Sequence, residues 1–193
     1  ACGEELWVTD GTAAGTKMVK DIYPGPVSSN VSYITRFNDK VVFAATANEE
    51  DGSELWISDG TESGTYMIVD LNILGGSEPQ GFCQVNENQF IFSAIDLEST
   101  VYGESEQHWL YVSDGTEEGT RMIMDCDVKY PGMSVNNDRT HFVRVGRKVF
   151  FKADSKDGEY GETLWVTDGT TEGTIMLTDI NTTVANDATG ATA

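Results

Sequence analysis

The residues whose types and spacing invite chemistry recur through the chain. Asp-Gly-Thr stands at Asp10-Gly11-Thr12, Asp59-Gly60-Thr61, Asp114-Gly115-Thr116 and Asp168-Gly169-Thr170, each inside a longer phrase such as TLWVTDGTTEGT at 163–174. A carboxylate beside a glycine and a hydroxyl suggests phosphoryl transfer. In a D-x-D-G-T nucleophile motif, however, the reacting Asp lies two residues earlier, where this chain has Val8, Ile57, Val112 and Val166. The glycines are not a phosphate-binding loop either, because no Lys-Ser/Thr follows them.

Other constellations are sparse. His108 and His141 are the chain's 2 histidines, and no GxSxG or HExxH accompanies them. With 32 acidic residues a carboxylate pair for glycoside hydrolysis has many candidates, yet nothing singles one out. Cys2, Cys83 and Cys126 lack metal-ligand spacing. One disulfide plus one thiol, or a bond to a neighbouring chain, both fit their number. Cys126 occupies the place of Ile22, Leu71 and Ile180 in the other copies, and Cys83 that of Thr35 and Val143, so both read as small packing residues. Calcium is the one cofactor with sequence support, from the acidic glycine-containing stretches NEEDGSE (48–54) and DSKDGEYGE (154–162), each of which reads first as a solvated loop. The chain is expected not to be an enzyme.

The elements that must position these phrases are legible from their repetition. The Asp anchors are separated by 49, 55 and 54 residues, and such a period marks one supersecondary unit per repeat. YITRFNDKVVFAA (33–45) is echoed by GFCQVNENQFIFSA (81–94) and HFVRVGRKVFFKA (141–153). After each Asp-Gly-Thr phrase comes a third shared piece, as in TKMVKDI and TYMIVDL. Each full unit therefore holds four short segments rich in Val, Ile, Phe and Trp, bounded by turn residues, which predicts a four-stranded antiparallel meander. The apolar runs in KVVFAA, QFIFSA and KVFFKA are continuous, as in strands covered on both faces. The expected fold is all-β, a β-propeller-like array of four-stranded blades. The array spans 1–181, with a half blade at 5–22, full blades at 33–71, 81–126 and 141–180, and a Thr/Ala-rich tail or linker at 182–193.

ELWVTDGTAAGTKMVKDIYPGPVSSN, followed by FNDKVVFAA, resembles the ELWxxDGT repeat family of large secreted and surface proteins, and the likeness covers nearly all of residues 3–181. The third copy departs from the pattern, with Tyr111 in place of the Trp. The resemblance implies a propeller-like β-architecture and an extracellular or cell-surface setting, and no particular chemistry.

Read physically, each phrase is a structural turn. The Asp can accept backbone N–H bonds from residues further on, the glycines can take positive φ, and the Thr hydroxyls can bond within the loop. Trp7, Trp56, Tyr111 and Trp165, three residues before each Asp, are expected to pack between blades rather than to stack on sugars. A second Asp follows in each unit (Asp21, Asp70, Asp125, Asp179) and is expected to receive bonds from its adjacent turn.

The charge sets the partners. There are 32 acids against 12 bases, net −20, so a phosphate backbone or an anionic membrane surface would be repelled. No apolar run is long enough to insert in a membrane. Asn30-Val31-Ser32 and Asn181-Thr182-Thr183 are N-glycosylation sequons. The chain opens on ACGEELW, within a copy of the phrase, and reads as a processed chain or an excerpt from a longer array. Four phrases against three strand pairs leave one blade half-built. The expected function is a non-enzymatic, glycosylated subunit of an extracellular fibre or surface assembly, built head to tail from copies of itself. The alternative is a cell-surface adhesin module binding glycan or protein ligands.

Overall fold

The computed structural model describes residues 2–95, 108–125, 128, 142–154 and 162–178. Fourteen strands and no helix occur among them, so no helix is long and apolar enough to cross a membrane. Sheet 1 pairs β1 (Leu6–Val8) with β2 (Lys17–Lys20). Sheet 2 is the meander β3 (Ser32–Phe37), β4 (Lys40–Thr46), β5 (Ser53–Ser58) and β6 (Tyr66–Val69). Sheet 3 repeats it with β7 (Gln80–Asn86), β8 (Gln89–Ala94), β9 (Trp109–Ser113) and β10 (Arg121–Met124). Sheet 4 does so with β11 (Val143–Val145), β12 (Lys148–Asp154), β13 (Glu162–Thr167) and β14 (Ile175–Thr178). All pairings are antiparallel. The fold is all-β, with three four-stranded sheets and one two-stranded sheet, as the four phrases and three strand pairs require.

The core lies between successive sheets. Leu6, Val19 and Ile22 of sheet 1 and its connector meet Phe43, Ala45 and Trp56 of sheet 2. Phe37, Val42, Leu55, Ile57 and Ile68 on the other face of sheet 2 meet Phe82, Phe90, Phe92 and Tyr111 of sheet 3. Val85, Ile91, Leu110, Val112 and Ile123 then meet Phe142, Val149, Phe151 and Ala153 of sheet 4. Consecutive residues of β4 and β8 are buried because their alternate side chains enter different clusters. The first strands of successive sheets lie beside one another, β3 against β7 and β7 against β11.

Phe43 and Trp56 are directly paired across β4 and β5, with ring centroids 6.5 Å apart and stacked. Phe92 and Tyr111 repeat the pair at 5.5 Å, and Phe151 stands opposite Trp165 in sheet 4. The Tyr at the third Trp position thus keeps the aromatic pair.

Candidate functional site

Every Asp-Gly-Thr phrase closes the hairpin between the last two strands of its sheet, and its polar atoms bond to one another. Asp59 Oδ1 accepts from the Thr61 amide at 2.9 Å and the Thr61 hydroxyl at 2.6 Å. The Thr61 hydroxyl oxygen in turn accepts from the Gly64 amide, and the Thr65 hydroxyl donates to the Thr61 carbonyl. The same set recurs around Asp10, Asp114 and Asp168. Both bonds fall on Oδ1, which fixes the carboxylate within its own turn. The Thr bonds hold the carboxyls of Asp10, Asp59 and Asp168 below the usual range, because they favour the charged form.

Two glycines in each phrase have separate reasons to be glycine. A Cβ on Gly64 would fall 2.1 Å from Asp59 Oδ1, so the loop can close over its carboxylate only without a side chain. Gly60, Gly115 and Gly169 sit at φ of +86°, +91° and +89°. Gly115 also lies against sheet 2, where a Cβ would be 3.1 Å from Ile57 Cδ1 and 3.7 Å from Phe37 Cε1. Gly169 lies likewise against Val85 and Val112 of sheet 3. At Gly115 and Gly169 the turn is therefore an inter-sheet contact as well as a hairpin connection.

Two participants escape a reading centred on Asp-Gly-Thr. The residue before each Asp carries a hydroxyl (Thr9, Ser58, Ser113, Thr167), which bonds the last Thr of the phrase at 2.7–2.8 Å and accepts from the first glycine's amide. Its Ser/Thr identity in all four copies was the available signal. The second is the Glu ahead of Leu-Trp. Glu54 is buried beneath the link to sheet 3, where its carboxyl accepts from the amide and hydroxyl of Ser77 and, at 3.5 Å, from the Leu71 amide. Burial pushes its pKa up to about 8, the Ser77 bonds oppose the shift and the Asp70 charge adds to it. Glu5 is buried at the matching place, where it accepts from the Ile22 amide and leaves Oε1 without a partner.

The remaining expectations separate. Trp56 and Tyr111 are buried between sheets, and half-buried Trp165 packs against the cluster joining sheets 3 and 4. Lys20 lies over the Trp56 ring at 5.7 Å and donates to the Thr65 carbonyl, which ties sheet 1 to sheet 2. Trp7 differs: it is 54% exposed, with no sheet against its face of β1 among the described residues. Asn30 is exposed on a connector and has φ +51°. Asp70 caps its own turn through the Asn72 amide. Cys2 is exposed and Cys83 half-buried, both unbridged, and burial raises the Cys83 thiol pKa. In the 48–54 stretch, Asn48 accepts from the Glu50 and Asp51 amides and donates to Asp51, so its polar groups satisfy one another. No group of three or more His, Cys, Asp or Glu is gathered as for a metal among the described residues. Asn181, Cys126, His141, Asp179, most of the 154–162 stretch and the 182–193 tail lie outside the described residues.

The geometry defines an all-β stack of sheets in each of which the repeated phrase closes a hairpin. No protein-family model matches the sequence, and comparison with curated proteins gives no match.

Proposed function

We propose that this chain is a non-enzymatic structural subunit that assembles head to tail, as a propeller-like β-array of the ELWxxDGT type, into an extracellular fibre or surface layer. The observation that supports this reading is that, among the described residues, the outward faces of sheets 1 and 4 are uncovered and match the faces that meet inside the stack. At one end Trp7, the counterpart of Trp56, faces solvent. At the other, sheet 4 exposes Val145 (62%) and Leu177, the counterparts of Phe37 and Ile68, which sheet 3 covers in sheet 2. Joining one copy's sheet 4 to the next copy's sheet 1 repeats the internal junction, and a non-closing contact of that kind grows a filament. Glycans on Asn30 and Asn181, and screening of the net −20 charge by salt or divalent cations, fit this setting.

Light scattering and electron microscopy of the native chain at micromolar concentration are expected to show polymers that Trp7→Asp abolishes. A chain that stays monomeric overturns the reading. One feature favours the adhesin alternative, a polar groove of about 810 Å³ between sheets 3 and 4 that gathers Arg144, Arg147 and Lys148 near Asp114 and Asp168. Saturable binding of an acidic glycan by a stable monomer would select it.

A further inference from the structure

In each four-stranded meander the turn between the first two strands and the Asp-Gly-Thr turn fall at the same end of the sheet. All of these turns are among the described residues. Two neighbouring grooves at that end can be compared. The groove between sheets 2 and 3, about 470 Å³, sets Lys40 among the carboxylates of Asp39, Glu87 and Asp114. The chain bridges this groove itself: the Asn38 side-chain amide donates to the Glu87 carbonyl at 2.7 Å, and Asn38 Oδ1 accepts from Gln84 Nε2 at 2.9 Å.

The groove between sheets 3 and 4 is about 810 Å³ and sets Arg144, Arg147 and Lys148 among Glu87, Asp114 and Asp168. By strand register Glu87 holds the turn position that Asn38 holds in sheet 2, and a carboxylate cannot donate the bridging bond. No hydrogen bond or ion pair crosses this groove among the described residues. The cations are the unusual part. The chain has 12 Lys and Arg against 32 acids, and three of those cations fall within 144–148. Lys20, by contrast, is used inside the stack, over Trp56 and on the Thr65 carbonyl. Gly146, at φ +64°, makes the tight turn that brings Arg147 and Lys148 together. Arg144 Nε donates to the Gly146 carbonyl at 2.9 Å, which pins the guanidinium beside the turn and leaves its Nη hydrogens without a partner among the described residues.

The rest of the lining selects among anions. Asp114 and Asp168 commit Oδ1 to their own turns, so Oδ2 is what each offers to a ligand. These carboxylates and the net −20 charge repel a polyanion such as a nucleic acid. No aromatic ring lines the groove, so a base has nothing to stack on. A ligand that carries one oxyanion and several hydroxyls satisfies both signs of charge. We infer that the groove between sheets 3 and 4 binds an acidic sugar, its carboxylate or sulfate held by Arg147 and Lys148 with Arg144 beside them, and its hydroxyls by Asp114, Asp168 and the Asn88 amide. Arginine pairs with either oxyanion through two parallel bonds.

This deepens the adhesin alternative and rests on its reading of the groove as a ligand site, not on the fibre. The full chain is titrated calorimetrically with galacturonic acid, galactose-6-sulfate, galactose and inorganic sulfate, while light scattering follows assembly in the same samples. Saturable one-to-one binding of an acidic sugar is expected, weakening as salt is raised. Galactose and inorganic sulfate should each bind at least about tenfold more weakly, and Arg147→Ser with Lys148→Ser should cost the acidic sugar at least about tenfold. Lys40→Ser, in the bridged groove, should leave binding unchanged. Slowed hydrogen exchange at 144–148 and 168–170 reads the site without any substitution. Binding by only one of the two acidic sugars keeps the site and assigns its anion as carboxylate or sulfate. Absence of saturable binding overturns the inference, as do equal binding of galactose, equal binding of inorganic sulfate, full binding by the double variant, and unchanged exchange at those residues. A chain that polymerises without binding either acidic sugar keeps the fibre reading and loses the site. A chain that binds and never polymerises keeps the site and loses the fibre.

Discussion

The junction between sheets 1 and 2 and the junction between sheets 2 and 3 are built from the same phrases, and they differ in how much of each phrase is used. At the second junction Phe37 and Ile57 cover Gly115, Phe82 is buried, and Glu54 grips the Ser77 amide and hydroxyl. At the first, Gly60 is uncovered and Ile34 is exposed, and Ser29 gives its hydroxyl to the Glu4 carbonyl while Glu5 Oε1 goes unpartnered. What a repeat residue does is thus decided by its neighbour sheet. Identity of sequence carries identity of environment only where the neighbour is complete.

The widest separation is expected between two tryptophans at the same repeat position. Trp56→Ala removes a buried ring that packs on Phe43, Leu6 and Val19 and carries Lys20, and should cost about 3–5 kcal/mol in urea unfolding. Trp7→Ala removes an exposed ring and should change monomer stability by less than about 0.5 kcal/mol. Equal losses would mean that both rings are buried alike, and the comparison between the junctions would collapse.

Glu54 makes the second junction sensitive to pH. Its folded pKa, about 8, lies above its ordinary value of 4.5, so the folded state holds a proton that the unfolded state releases between the two. The stability this contributes is complete below about pH 4.5 and is lost as pH rises through about 8. Thermal unfolding should therefore occur at a higher temperature at pH 5 than at pH 9, and Glu54→Gln, which keeps a neutral polar head, should flatten that slope. An unchanged slope in the variant would assign the effect to the general net charge instead. On the acid side, Asp10, Asp59 and Asp168 have lowered pKa values, so their contribution is present above the ordinary 3.8 and fails as pH falls below it.

The third pair compares one repeat position in a covered and an uncovered setting. Phe82→Ala opens a cavity against Phe90 and Phe92 and should cost about 3 kcal/mol, while Ile34→Ala should cost less than about 1 kcal/mol. Calorimetry of the two variants reads the difference.

The strands and their grouping into sheets were legible because apolar runs such as KVVFAA and QFIFSA leave no polar face, and because the repeat sets their order. The turn was legible too, since Asp, Gly and Thr have local reasons to bond one another. Glu54 was not, because a carboxylate next to Leu-Trp reads as the outward member of an alternating strand. Its burial is set by Ser77, 23 residues later. Trp7 is exposed for a complementary reason: the phrase states which face the ring takes and is silent on whether another sheet covers it.

The smallest expected difference concerns the first glycine of the phrase, and it isolates tertiary contact from backbone strain. Gly60 and Gly115 have nearly the same φ, +86° and +91°, so alanine at either should impose a similar left-handed penalty of about 1 kcal/mol. Only at Gly115 does the added methyl approach another sheet, 3.1 Å from Ile57 Cδ1. The tip of an isoleucine can give way, so the extra cost should be about 1 kcal/mol rather than a failure to fold. Subtracting the Gly60→Ala loss from the Gly115→Ala loss then measures the contact by itself. A difference near zero would show that the glycine is held for its φ alone and that the turn takes no part in joining sheets. A difference that disappears when Ile57→Val is added would place the contact on that one side chain.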